Sequence, residues 1–135
     1  MKHKYRIIDF LRNKKNISAT IERMQLAAKN SNAGPVFMLN LNKYSSSAGF
    51  PDGALYKEYM QSISRLVSEV EGKILWRTPV NGQVVGSQDI DEVLGAWYPS
   101  IEAFLNIRNS PSSARNIELR ERAVKSANLH WCDPY

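Results

Sequence analysis

The chain has 135 residues, 43% hydrophobic and 23% charged, with a net charge of +5 and a single cysteine. That length suits one domain with a real core; the composition excludes a disordered chain, and the lone Cys132 excludes an internal disulfide framework or a cysteine-rich zinc site. No apolar run approaches the ~20 residues that span a bilayer, and the first residues lack the apolar region of a signal peptide, so the expectation is a cytoplasmic protein with no membrane span.

The charge is unevenly spread. Residues 1–33 hold eight Lys or Arg against Asp9 and Glu22, a net +6, whereas the rest carries ten basic and eleven acidic groups, a net −1. The basic character therefore belongs to an N-terminal extension, residues 1–34, ahead of a nearly neutral domain at 35–135. A charge of that size suits an anionic surface such as nucleic acid or lipid. Packing of an Ile17, Ile21 and Met24 stripe on the domain or on a partner is the preferred alternative, and no nucleic-acid partner is expected.

Helical spacing is expected around Tyr5 to Leu11 and again from Ser18 to Lys29, and the turn formers up to Gly34-Pro35 end the extension. Val36 to Leu41 reads as a strand that is apolar on both faces. After a Ser/Gly/Pro-rich loop, Leu55, Tyr59, Ile63, Leu66, Val67 and Val70 form one helical stripe that Gly72 ends. Lys73 to Val80 reads as a second strand, with Ile74, Trp76, Thr78 and Val80 on one face and Leu75 and Arg77 on the other.

Asn81-Gly82 suits a hairpin turn that Gln83 to Ser87 extends, and Glu92 to Tyr98 is the third strand, stopped by Pro99. Ser100 is placed to cap a helix carrying Ile101, Phe104, Leu105 and Arg108. A break at Asn109 to Ser113, a helix from about Ala114 to Lys125, and a strand from Ala127 to Cys132 complete the order β-α-β-β-α-β. Right-handed crossovers put both helical layers on one face of a single sheet. The other face, apolar as well, would be bare in a monomer, and a second copy packed sheet to sheet would cover it.

Six segments in order and spacing carry a resemblance: Met38 to Lys43, Tyr56 with Tyr59, Gly72 to Arg77, Trp97 to Ser100, Asn109 to Pro111, and Leu119 to Ala123. Together they resemble the family called domain of unknown function thirteen-thirty, a branch of the dimeric α+β barrels, over about residues 35 to 131. The resemblance implies a ferredoxin-like α+β protomer with an antiparallel sheet, a homodimer joined through the sheets, and a pocket between sheet and helices. It implies no established activity. The chain departs from the family at Ser112 and Ser113, where members commonly carry an acidic residue and a tyrosine, and in its basic extension.

Several residues could carry chemistry. Asn40 interrupts an apolar strand, so its amide must find a partner, either backbone or a ligand. Arg77, mid-strand and permanently charged, needs an anion: a substrate oxyanion, or Asp89, Asp91 or Glu92. Arg120 poses the same choice on the last helix, with snorkelling to the surface as the bland outcome. Tyr56, Tyr59, Trp76, Trp97 and Tyr98 suit either a core or a pocket for a planar or acyl substrate, and Tyr59 falls on the buried stripe, where its phenol could act as a general acid.

His130 and Cys132 project from one strand face, but no oxyanion-hole motif accompanies them, so they are read as structural. With His3 the only other histidine, no metal site is expected, and no Gly-rich loop points to a nucleotide cofactor. The leading expectation is a cofactor-free enzyme acting on a small, partly apolar metabolite, by monooxygenase, isomerase or cyclase chemistry. In it Arg77 and Tyr59 are catalytic, and Asn40, Trp76, Trp97 and Arg120 hold the substrate. The alternative is a non-catalytic homodimer that binds a small molecule or another protein.

Overall fold

The computed structural model describes residues 15–30 and 33–134, with the side chains of 15–18 outside the description; the helix expected around Tyr5 to Leu11 lies outside these residues. Its elements are α1 (Lys15–Ala28), β1 (Val36–Tyr44), α2 (Ala54–Glu69), β2 (Lys73–Pro79), β3 (Glu92–Tyr98), α3 (Ile101–Leu105), α4 (Ser113–Ala123) and β4 (Val124–Cys132). Short 3-10 turns lie at Ser46–Ala48 and Asn106–Asn109. The sheet runs β2-β3-β1-β4, with every pair antiparallel. This is the β-α-β-β-α-β order read from the sequence, in the ferredoxin-like α+β arrangement that the resemblance implied.

Alternation along β1 sorts its side chains. Val36, Met38, Asn40, Asn42 and Tyr44 face the helices, while Phe37, Leu39 and Leu41 face outward. Two groups of buried side chains make the core beneath the helices. One joins Met24 of α1 to Val36, Met38, Val67, Tyr98 and Ile101. The other joins Tyr44, Tyr56, Tyr59, Leu94 and Leu119. Met24 is 2% exposed and Ile21 packs beside it, so α1 contributes core side chains to the folded unit.

Helix α2 ends in a Schellman turn. The Gly72 N–H donates to the Val67 carbonyl at 2.9 Å, and the Glu71 N–H to the Ser68 carbonyl at 3.0 Å. The left-handed residue is Glu71, with φ 64°, and not the glycine. Gly72 is needed for closeness instead: a Cβ there would lie 2.8 Å from Val67 Cγ1 and 2.9 Å from Tyr98 Cδ1. Ser100 caps α3 as expected, its hydroxyl accepting from the Ala103 N–H at 3.0 Å.

Four local expectations are corrected. β1 continues to Tyr44, because Asn42 and Tyr44 keep the ladder with β3 or β4. Residues Gln83 to Ser87 form a loop and not a hairpin extension, with Val84 98% exposed. Lys43 ties the base of that loop by pairing with Asp89 and Asp91 at 3.0 and 3.3 Å. α3 stops at Leu105 and tightens into the 3-10 turn before Arg108. Finally, a register shift between Ile74 and Trp76 breaks the alternation of β2. Ile74 and Arg77 pair with the inward Ala96 and Leu94, and Trp76 turns outward opposite Gly95.

Candidate small-molecule site

A cavity of about 110 Å³ lies between the sheet and the helices. β1 supplies its floor through Asn40 and Asn42. α2 supplies Tyr59, Ile63, Leu66 and Val67, which follow the i, i+4, i+7, i+8 spacing of one helix face. α4 adds Asn116 and Arg120, one turn apart, and Phe104 and Ile107 close it from the α3 segment. Leu129 of the edge strand β4 also lines it and is 44% exposed, which marks the rim. Most of the lining is apolar, with a few convergent polar groups, the usual constitution of a small-molecule pocket.

The polar groups are held from behind. Asn40 Nδ2 donates to the Met38 carbonyl at 3.3 Å, Asn42 Nδ2 to the Tyr44 phenol oxygen at 3.3 Å, and Asn116 Nδ2 to Ser62 Oγ at 3.3 Å. Tyr59 is 3% exposed. Burial pushes its phenol above the ordinary range; the nearby Arg120 charge pulls it partly back, and Glu92 adds to the rise. Tyr59 therefore keeps its proton at neutral pH, as a proton donor requires.

Beside the cavity lies a second polar group that sequence reading did not assemble. Glu92, 3% exposed, accepts from the Tyr44 phenol at 2.6 Å and from the Tyr56 phenol at 2.8 and 3.0 Å. Arg77 Nη1 donates to the Tyr56 oxygen at 2.8 Å and stands 3.8 Å from Glu92 Oε2. Burial and then the bond to Glu92 hold the Tyr44 and Tyr56 protons well above the ordinary phenol range.

Of the six residues expected at the site, Asn40, Tyr59 and Arg120 line the cavity together. Arg77 does not: its bulge-set position aims it at Tyr56 and Glu92, the internal pairing that competed with a substrate oxyanion. Trp76 and Trp97 lie on the outer face, Trp76 tilted against Phe37 with ring centres 6.1 Å apart. Tyr98 lines the cavity, and Tyr56 belongs to the Glu92 cluster. His130 and Cys132 register with the outward Leu39 and Phe37, and the Cys132 thiol contacts the His130 carbonyl.

Asn42, Asn116, Tyr44 and Glu92 were missed as site residues. A period-2 step from Asn40 reaches Asn42, and a helical step back from Arg120 reaches Asn116, so both signals were present in the spacing. Glu92 showed only as a candidate partner for Arg77.

No protein-family model matches the chain, and no curated protein matches it. Solved structures do. A protein of unknown function from Rhodopseudomonas palustris is 26% identical, with a TM-score of 0.68 over 84% of this chain and 92% of that one. A dabb family protein with a ferredoxin-like fold from Mesorhizobium loti is 9% identical, with a TM-score of 0.52 over 76% and 98%. A dimeric ferredoxin-like protein of unknown function from Thermobifida fusca is 9% identical, with a TM-score of 0.51 over 76% and 93%. The fold is thus ferredoxin-like. Among the described residues no helix is long and apolar enough to cross a membrane.

Proposed function

We propose that the chain binds a small, partly apolar metabolite bearing an oxyanion in the cavity beneath α2 and α4, and that it acts on this metabolite without a cofactor. The observation that carries the reading is the convergence of Tyr59, Asn116 and Arg120 with the two β1 asparagines on one otherwise apolar cavity. Arg120 takes the anion-holding role first expected of Arg77, and Tyr59 serves as general acid toward the bound oxygen. The six sequence segments that carry the resemblance support membership of the thirteen-thirty family, and the single half-buried, unpaired cysteine supports a cytoplasmic setting.

A non-catalytic binding dimer is the second reading, and the engagement of Arg77 by Tyr56 favours it. Both readings share a homodimer closed through the outer face, where Phe37, Leu39, Leu41, Val93, Trp97 and the 45%-exposed Trp76 gather.

Titration with short branched carboxylic acids, followed by crystallography of any that bind, tests the site. Arg120→Gln should weaken binding by about tenfold, with ligand density against Tyr59. If Tyr59→Phe keeps binding and loses turnover, the enzyme reading holds; binding with no turnover in the wild type leaves the binding dimer. Ligand density elsewhere on the chain would defeat both.

A further inference from the structure

The cavity lies between two charges of opposite sign. On its helix side Arg120 of α4 is part of the lining. On its sheet side Glu92 stands directly across the ladder from Asn42, and the two share the Tyr44 phenol. Directly opposed residues of an antiparallel pair have Cβ atoms only ~5 Å apart and point to one face of the sheet. The carboxylate, 3% exposed, is therefore immediately beside the floor at Asn42 although it does not line the cavity.

Arg77 stands 3.8 Å from Glu92 Oε2, but its side chain is 48% exposed, so water screens its field more than that of the buried carboxylate. Tyr59, inside the cavity, senses both of the flanking charges: Arg120 loosens its hold on the phenol proton and Glu92 tightens it. Arg120 has an interaction of its own, and what it brings to the cavity is its charge, whatever its N–H groups hold. Hydrogen bonding alone does not decide what rests on the floor, because each asparagine amide offers both an N–H and a carbonyl oxygen. Charge does decide it. An anionic oxygen on Asn42 would lie close to Glu92 in a poorly screened interior, whereas the same oxygen beside Arg120 is stabilised.

We infer that Glu92 is a specificity-determining residue of this cavity: it reserves the Asn42 floor for an uncharged group and directs the anionic end of the ligand to Arg120. The inference rests on the small-molecule reading above and adds the ligand's chemical class, a short monocarboxylate in preference to a dicarboxylate of the same shape.

Two acids of one shape separate charge from fit: methylsuccinate, a dianion at neutral pH, and 3-carbamoylbutanoate, in which an amide replaces one carboxylate. Titration of the full chain should show the amide acid bound about tenfold more tightly than the diacid. E92Q keeps the size of the side chain and should cut that preference to about threefold, the remainder being the cost of desolvating a second carboxylate. R77Q disturbs the same cluster without removing the negative charge and should keep the preference at about tenfold or above. A merely structural role for the cluster would move both variants alike. Crystals of the wild type with 3-carbamoylbutanoate give a reading that survives if E92Q fails to fold. The branch methyl, next to the amide, should place the amide end on Asn42 and the carboxylate at Arg120. The reverse orientation overturns the inference, as does a preference that E92Q leaves unchanged or that R77Q lowers equally. Binding of neither acid overturns it together with the small-molecule reading, whereas binding of both with an unmoved ratio overturns it alone.

Discussion

Asn42 and Glu92 are cross-strand partners on β1 and β3, and the Tyr44 phenol bridges them, accepting from Asn42 at 3.3 Å and donating to Glu92 at 2.6 Å. A buried carboxylate is thereby coupled to the floor of a cavity it does not line. The same carboxylate serves Tyr56 and, at 3.8 Å, the half-exposed Arg77. Removing different members of this group should therefore have unequal consequences.

Glu92→Ala leaves two buried phenols without an acceptor and should cost about 3 kcal/mol of stability. Tyr56→Phe removes the bond to Glu92 and the bond from Arg77 and should cost about 1 to 2 kcal/mol. Arg77→Ala should cost least, about 1 kcal/mol, because the Arg77 side chain is 48% exposed and water screens its interaction. Chemical denaturation of the three variants gives the order directly. Arg77→Ala proving the most damaging would mean that the arginine, and not the carboxylate, organises the group.

The buried phenols set an alkaline limit. Tyr44, Tyr56, Tyr59 and Tyr98 are all raised above 10.0, chiefly by burial, with Glu92 adding to the first three. In each the folded value lies above the unfolded one, so the native state holds a proton that the unfolded state releases. The associated stability is complete below pH 10 and declines as pH rises beyond it, by about 1.4 kcal/mol per pH unit for each phenol. Denaturation midpoints should stay level up to about pH 9 and fall steeply by about pH 11. Four phenols ionising reversibly near pH 10 in the folded protein would contradict this.

Much of the frame was legible because apolar spacing decides it. The α2 stripe, the Ser100 cap and the limits of β3 follow from periodicity and capping chemistry that act locally. Half of the site was legible for the same reason: Asn40, Tyr59 and Arg120 each break or occupy a buried stripe. What strict alternation could not foresee is the bulge at Leu75, a tertiary accommodation of one residue that reverses Trp76 and Arg77. Nor does a strand pattern reveal that Glu92 is buried, since its cost is offset by phenols 36 and 48 residues away, with Arg77 at 3.8 Å beside them.

Gly95 offers a separate check on the outer face. A Cβ at this position would sit 2.5 Å from Phe37 Cζ and 2.7 Å from Trp76 Cε2, so the two rings close over a gap that only glycine leaves. Gly95→Ala must push both rings aside and should cost about 1 to 3 kcal/mol, with a shift in tryptophan emission as Trp76 moves. An unchanged spectrum and midpoint would mean that the rings do not pack there in solution.

The same face carries the assembly proposal. Leu39 registers with Gly95 near the middle of the sheet and points away from the helices. If the outer faces of two copies meet, Leu39→Arg places a charge at the centre of a self-complementary interface, next to its own symmetry mate. Burial of unpaired, like charges should dissociate the dimer, while in an isolated chain the arginine can reach water and cost little. Sedimentation should therefore give about twice 15.3 kDa for the wild type and 15.3 kDa for the variant, with the far-ultraviolet spectrum unchanged. A wild type already at 15.3 kDa would show that the apolar face stands uncovered by a second copy. A variant that remains dimeric would move the interface elsewhere, leaving Phe37, Trp76 and Trp97 to be explained by some other partner.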